Sequence, residues 1–302
     1  MTSGGTAPTL VVLAAGLGSR YGDAKQIVGV GPADEWLLEY ALHDALAAGF
    51  TRVVMVIRAA LRSPLQQRLA PHLHERAALH FVEQTLDKVP DGCRVTAARS
   101  KPLGTGHALW CCTPLLNGPF AVINADDYYG REAFRLLAEH FRHTRQPAMV
   151  GYRLAATLSG HGGVNRGVCR VDPDGRLEDV IEFTDIAIRD GVLAGNAPDG
   201  NRVALAPDSV VSLNCWGLWP ELLPDLEQGL RGFLAQSGDA DEYFLPHAIA
   251  AYLTKSHKAL SVLPTNDTWL GLTYPDDRAH ATGALAALHD AGTYPTPLWA
   301  HP

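Results

Sequence analysis

LAAGLGSRYGDAK, residues 13–25, follows an aliphatic run and places Gly16, Gly18 and Gly22 with Arg20 and Lys25 in one short segment. A glycine-rich turn directly after a strand brings backbone N–H groups close to a bound anion, and the residues between the glycines decide which anion. The dinucleotide fingerprint G-x-G-x-x-G is not met, because the third glycine comes one residue late and the bulky Arg20 and Tyr21 precede it. A P-loop needs Gly-Lys followed by Ser or Thr, whereas Lys25 stands between Ala24 and Gln26. What is left is a loop whose backbone donors at residues 16–19 can approach phosphate, with Arg20 and Lys25 as cations on the same segment.

Outward from this loop, residues 9–15 read as a buried strand and residues 36–48 as an amphipathic helix, with Leu38, Ala41, Leu42 and Ala45 on one face and Gly49 as its stop. Residues 52–57 (RVVMVI) form the next strand, so strand, loop, helix and strand make a right-handed βαβ unit. Strands are expected at 79–83, 120–124 and 148–153, and a helix at 131–142. The pattern then changes. Residues 167–171 and 177–183 are short strands joined by the turn sequence Asp172-Pro173-Asp174-Gly175, an antiparallel hairpin expected to cover one end of the sheet. A strand at 210–216, helices around 220–235 and 241–254, a strand at 259–263 and a last helix at 275–291 complete the chain, with 191–201 expected as an exposed loop. The expected fold is α/β: a doubly wound, Rossmann-like mixed sheet in three layers (α/β/α) with a small antiparallel hairpin insertion.

The 302 residues, 47% hydrophobic, suffice for one large core. No apolar stretch is long enough to span a bilayer, and residues 1–9 have neither the basic nor the apolar region of a signal peptide, so the expected location is the cytoplasm. Cys93, Cys111, Cys112, Cys169 and Cys215 are odd in number, form no C-x-x-C pair and read as buried thiols. A net charge of −7 argues against a nucleic-acid partner, since that binding is carried by clustered Lys and Arg, while a small anionic ligand remains open.

L-A-A-G-x-G-S-R followed by Lys resembles the signature of the sugar-1-phosphate nucleotidyltransferase, or pyrophosphorylase, family. The resemblance implies a single domain, residues 1–302, with a nucleotide-binding half at about 9–150 and an acceptor half at about 151–302. It implies nucleotide contacts from Leu13, Ala15, Gly16, Leu17, Gly18 and Ser19, with Arg20 orienting the leaving pyrophosphate and Lys25 neutralising the α-phosphate region. The short spacing to Lys25 is that of the cytidylyltransferase and molybdenum-cofactor branches. In KPLGTGHALW, Gly104, Thr105 and Gly106 match the loop that opens a helix and packs on the nucleobase, with Gln84 as base reader although residues 85–100 intervene. FAVINADDYYG delivers Asp126 and Asp127 at a strand end, where a doubly wound sheet binds ligands. The resemblance makes Asp126 the Mg²⁺ ligand and Asp127 the second candidate. Where many members read W-L-D, this chain has Trp269-Leu270-Gly271, so Asp267 is expected to complete the metal site, and Asp276 and Asp277 to be first-turn acids of the last helix. Gly167, Glu182 and Asn214 match the sugar-pocket strands. The strands of Glu182 and Asn214 are expected to be neighbours, with both side chains facing one cavity.

The reaction implied is attack of a sugar 1-phosphate on the α-phosphorus of a nucleoside triphosphate. It needs no general base, because a phosphate monoester is mostly dianionic at neutral pH, and His107 is left structural. The implied partners are the two substrates, without nucleic acid or membrane, and self-association into a homo-oligomer is left open. The alternatives are a transferase for a non-sugar phosphate acceptor, a dinucleotide-dependent oxidoreductase, disfavoured by the glycine spacing, and a silent ligand sensor of the same fold.

Overall fold

The computed structural model describes residues 6–16, 29–236, 238–272 and 277–300. Four parallel strands, β1 (Thr9–Leu13), β2 (Arg52–Ile57), β3 (Ala78–Glu83) and β4 (Phe120–Asn124), lie in the spatial order β4-β1-β2-β3. Because successive side chains point to opposite faces, their apolar runs feed two separate cores. Leu10, Val12, Val53, Met55, Ile57, Ala121 and Ile123 enter one; Val11, Val54, Val56, Phe120 and Val122 enter the other. The helices α1 (Leu37–Ala47), α2 (Arg62–Leu73), α3 (Thr105–Trp110), α4 (Arg131–His143), α5 (Leu223–Gln236) and α6 (Leu245–Ser256) divide between the faces. Leu38, Leu65 and Phe134 bring α1, α2 and α4 to the first core, whereas Leu109, Leu226 and Ile249 bring α3, α5 and α6 to the second. This is the expected three-layer arrangement.

Local signals act as read. α1 ends where Gly49 takes φ +99°, with Phe50 N–H donating to the Ala45 carbonyl and Gly49 N–H to that of Leu46, a Schellman closure that needs a residue tolerant of positive φ. α2 adds to the expected elements; Leu65, Leu69 and Leu73 recur at i+4 and are all buried. α6 begins four residues later than expected, with Pro246 in its first turn.

The second half builds outward. β5 (Asp127–Tyr128) follows β4, and then come β6 (Ala148–Arg153), β7 (Val164–Val171), β8 (Leu177–Arg189), β9 (Val192–Asn196), β10 (Arg202–Ala204), β11 (Val210–Leu218), β12 (Ser261–Pro264) and β13 (Leu270–Gly271), before α7 (Asp277–Asp290). β11 pairs antiparallel with β4 and β7, so one sheet runs β10-β9-β8-β7-β11-β4-β1-β2-β3, with β6 between β11 and β12. The expected hairpin is present but is part of something larger: β7 to β10 form an antiparallel meander that extends the sheet rather than capping its end. Its turn is built as read, Asp172 Oδ1 accepting from the N–H groups of Asp174 (2.9 Å) and Arg176 (2.8 Å) while Gly175 takes φ +77°. Residues 191–201, expected as loop, contain β9, whose Leu193 and Ala194 are buried. Glycine and asparagine at the strand's borders hid them.

All five cysteines are free thiols; Cys112, Cys169 and Cys215 are buried, but Cys93 and Cys111 only half-buried. Among the described residues no helix is long and apolar enough to cross a membrane.

Candidate functional site

The chain runs from β1 to β2 and β3 on one side, then returns to β4 on the other, so the crevice between the C-terminal ends of β1 and β4 is a topological switch point. In open α/β sheets that is where ligands bind. Pairing continues to the rim: Ala14 N–H donates to the Val56 carbonyl (2.8 Å) and Ala125 N–H to the Leu13 carbonyl (3.1 Å). Leu13 therefore stands beside Asn124 and Ala125, with Ala15 and Gly16 following the end of β1 and Asp126 the end of β4. Leu17, Gly18, Ser19, Arg20 and Lys25 lie outside the described residues, as does Asp276.

Gln84 follows β3 on the same edge. Despite the intervening segment, its Nε2 donates to the Gly104 carbonyl at 2.9 Å and contacts His107 Nδ1 at 3.0 Å. The segment folds back because the buried Arg99 donates to the carbonyls of Lys101, Pro102, Gly238 and Asp241. Carbonyl oxygens only accept, which determines every proton in this chain of contacts. His107 Nε2–H must donate to the Lys88 carbonyl (2.6 Å), so Nδ1 accepts from Gln84, and the amide's Oε1 is its remaining hydrogen-bonding group. Burial holds the fully buried His107 below its ordinary pKa, consistent with a neutral, structural ring.

The glycines of the G-T-G segment have a packing reason that the sequence does not display. A Cβ on Gly104, which takes φ +98°, would lie 2.7 Å from the Tyr243 carbonyl oxygen; one on Gly106 would lie 2.7 Å from the Tyr243 ring. Thr105 Oγ1 accepts the Leu245 N–H at 2.9 Å, tying α3 to the start of α6.

Asp126 occupies the turn between β4 and β5. Asp127 Oδ2 accepts from Asn124 Nδ2 at 2.9 Å and is 3.2 Å from the Tyr129 hydroxyl, which accepts the Asn124 N–H (3.1 Å) and is 3.0 Å from the Leu213 carbonyl. Buried Tyr129 thus joins the end of β4 to β11, a link for which the sequence carries no motif. β5 pairs with β13 so that Asp127 faces Gly271, and a Cβ on Gly271 would lie 3.2 Å from Asp127 Oδ1. Asp267 Oδ2 accepts the Glu132 N–H at 2.7 Å in the first turn of α4 and crowds the space beside Gly130, which takes φ +79°. Desolvation raises its pKa, opposed by that hydrogen bond. Asp277 is in the first turn of α7, its Oδ1 accepting from Ser159 Oγ at 2.8 Å.

Among the described residues no group of three or more His, Cys, Asp or Glu side chains could cage a metal ion. The donor set fits a hard cation that takes one or two carboxylates and completes its shell with water and substrate oxygens, as Mg²⁺ does.

In the acceptor half, Glu182 and Gly167 are register partners, and Gly167 pairs in turn with Ser212 of β11. Here one expectation is corrected: β7 lies between β8 and β11, so the strands of Glu182 and Asn214 are not neighbours. The glycine lets the carboxylate lean over β7, because a Cβ on Gly167 would lie 3.0 Å from Glu182 Oε1. Asn214 takes φ +58° in an irregular stretch of β11 between Ser212 and Trp216, a conformation that asparagine tolerates better than most residues. Glu182 keeps solvent contact, yet desolvation raises its pKa against the pull of His247 and Arg166.

No protein-family model matches the sequence. No curated protein sequence matches it. Solved structures do. A UDP-glucose pyrophosphorylase complexed with UDP-glucose shares 17% identity at a TM-score of 0.57, covering 92% of this chain and 98% of its own. The inositol-1-phosphate CTP transferase from T. maritima shares 13% at 0.63, covering 93% and 96%. A putative glucose-1-phosphate thymidylyltransferase from Bacillus anthracis, in complex with a sucrose, shares 11% at 0.64, covering 92% and 95%. Near-complete overlap in both directions, with the switch-point crevice and the antiparallel extension in place, identifies the architecture: the chain has the fold of the sugar-1-phosphate nucleotidyltransferases.

Proposed function

We propose that this chain is a nucleotidyltransferase that condenses a nucleoside triphosphate with a sugar 1-phosphate to give a nucleotide sugar and pyrophosphate. One observation supports the reading: β1, which leads to Gly16, and β4, which leads to Asp126, pair side by side and end together at the switch point, in a fold whose solved examples bear the names of such transferases.

In this reading the loop at 16–19 donates backbone N–H groups to the triphosphate, while Arg20 and Lys25 offset the charge that builds on the leaving pyrophosphate and the α-phosphate. Gln84, held by Gly104 and His107, with Gly104, Thr105 and Gly106, forms the nucleobase side. Asp126 and Asp267 would hold Mg²⁺, which when bound neutralises phosphate oxygens as a Lewis acid. Gly167, Glu182 and Asn214 hold the acceptor. The work of the residues is alignment and charge neutralisation rather than proton removal. The domain is read as one unit from 1 to 302, its nucleotide half ending near residue 150, in a cytoplasmic protein.

The test is a pyrophosphate-release panel crossing ATP, CTP, GTP, UTP and dTTP with sugar 1-phosphates in the presence of Mg²⁺. Inositol 1-phosphate belongs in the panel because one similar structure bears the name of an inositol-1-phosphate CTP transferase. Release with one nucleotide and acceptor pair is expected. Nucleotide binding without release against any acceptor would replace this reading with that of a ligand sensor.

A further inference from the structure

Arg166 immediately precedes Gly167 on β7 and pairs in register with Phe183, next to the Gly167–Glu182 pair. It is 8% exposed, and its guanidinium carbon lies 4.4 Å from the centroid of the Trp269 ring. Nε–H donates to Thr157 Oγ1 (3.2 Å), Nη2 to the Thr157 carbonyl (2.6 Å) and Nη1 to the Asn165 carbonyl (2.9 Å). A guanidinium has five N–H groups, so one on each terminal nitrogen is left without an acceptor among the described residues. Among the described residues no ion pair compensates the charge there. Asp127, Asp277 and Glu182 act on it only at longer range, and desolvation lowers its pKa to about 10. The indole N–H of Trp269, the residue stacked on it, is also buried without an acceptor among the described residues.

Arg99 shows how a structural arginine is built in this fold: equally buried at 7%, it is wrapped by four backbone carbonyls. Arg166 instead shares its site with a second unsatisfied donor, at the edge where substrate chemistry is expected. Thr157 follows β6, and Trp269 precedes β13, whose Gly271 faces Asp127. A buried cation with free N–H groups is completed by an oxyanion that presents several acceptor oxygens at once.

We propose that Arg166, stacked on Trp269, is the receptor for the phosphate of the acceptor substrate, a phosphate monoester. The proposal rests on the nucleotidyl-transfer reading above and adds to Gly167, Glu182 and Asn214 the cation that they lack. It makes the acceptor pocket selective for the phosphorylated form of its ligand, because an uncharged alcohol would leave the guanidinium uncompensated.

The test is calorimetric titration of wild type, Arg166→Met, Arg166→Lys and Trp269→Phe with inorganic phosphate, glucose 1-phosphate and glucose, and separately with nucleoside triphosphate and Mg²⁺. Wild type is expected to bind the two phosphates and not glucose. Arg166→Met, which keeps the apolar stem, should weaken phosphate binding by about tenfold to a hundredfold. Arg166→Lys should recover part of that loss and Trp269→Phe should cost less, with triphosphate affinity within about twofold of wild type throughout. Near-ultraviolet circular dichroism checks the fold; if the methionine variant unfolds, the lysine variant and the wild-type contrast between phosphates and glucose decide. Unchanged phosphate affinity in a folded Arg166 variant overturns the proposal, as does wild type that binds nucleotide but no phosphate. Wild type that binds no nucleotide overturns the nucleotidyl-transfer reading instead.

Discussion

Replacing His107 by leucine should expose how much of the base-side geometry rests on one neutral ring. The substitution removes the acceptor for Gln84 Nε2–H and the donor to the Lys88 carbonyl, bonds of 3.0 and 2.6 Å. Each buried polar group left unpaired costs about 1–3 kcal/mol. Lys88 is an exposed residue whose carbonyl can turn to water, so most of the cost falls on Gln84, and the total is about 2 kcal/mol. With a urea dependence near 3 kcal/mol per molar for a chain of this size, the unfolding midpoint drops by roughly 0.7 M. The pH dependence gives a second, independent signature. Burial lowers the His107 pKa from its ordinary 6.5, so below that value the unfolded chain binds the proton more readily than the folded one. The stability contributed by the neutral ring is therefore complete above pH 6.5 and is lost as pH falls through that region. Leucine has no such slope. Urea unfolding of both proteins should show the larger gap at pH 8 and a smaller one at pH 5.5. A gap that is constant or wider in acid would refute a neutral His107, and an unchanged midpoint at pH 8 would refute the hydrogen-bond chain itself.

Other substitutions separate packing from chemistry. Gly104→Ala should destabilise more than Gly106→Ala, within about 1–3 kcal/mol for each, because the first Cβ sits on a residue at φ +98° and meets only Tyr243 backbone atoms, whereas the second meets the Tyr243 ring as well as its carbonyl; denaturation midpoints in the reverse order would count against this. Asp267→Ala should lose about 1 kcal/mol of stability as the Glu132 N–H loses its acceptor, whereas Asp267→Asn keeps it. Undiminished Mg²⁺-dependent pyrophosphate release by a stable Asp267→Asn protein would remove that residue from the metal site. Lys25→Ala should lower turnover by about a hundredfold, and near-wild-type turnover would sink the triphosphate reading of the loop. Asp126→Asn should abolish Mg²⁺-dependent release while retaining the fold, and unfolding instead would make Asp126 a structural residue.

Residues 9–16 and 36–57 carry their structure openly, because the signals there are local. An aliphatic run ends at a glycine, four apolar residues share one helical face, and Gly49 supplies the positive φ that the Schellman closure requires. The Asp172 to Gly175 turn is equally local, its backbone satisfied by its own aspartate. Such features follow from spacing alone, and with them the α/β class, the candidate loop at 16–25 and the carboxylates that end β4. What only the tertiary structure decided are pairings between distant segments. Gln84 meets Gly104 across a long excursion because Arg99 finds its acceptors near residues 238–241, and Gly104 and Gly106 are glycines because Tyr243 occupies the space of their side chains. Periodicity does not show that β7 divides the strands of Glu182 and Asn214, nor that Asp267 accepts from the first turn of α4, since register and capping across the fold depend on which surfaces bury each other. Arg166 is the extreme case: in sequence it is one arginine among many. Its meaning comes from desolvation against Trp269 and from two N–H groups that have no acceptor among the described residues.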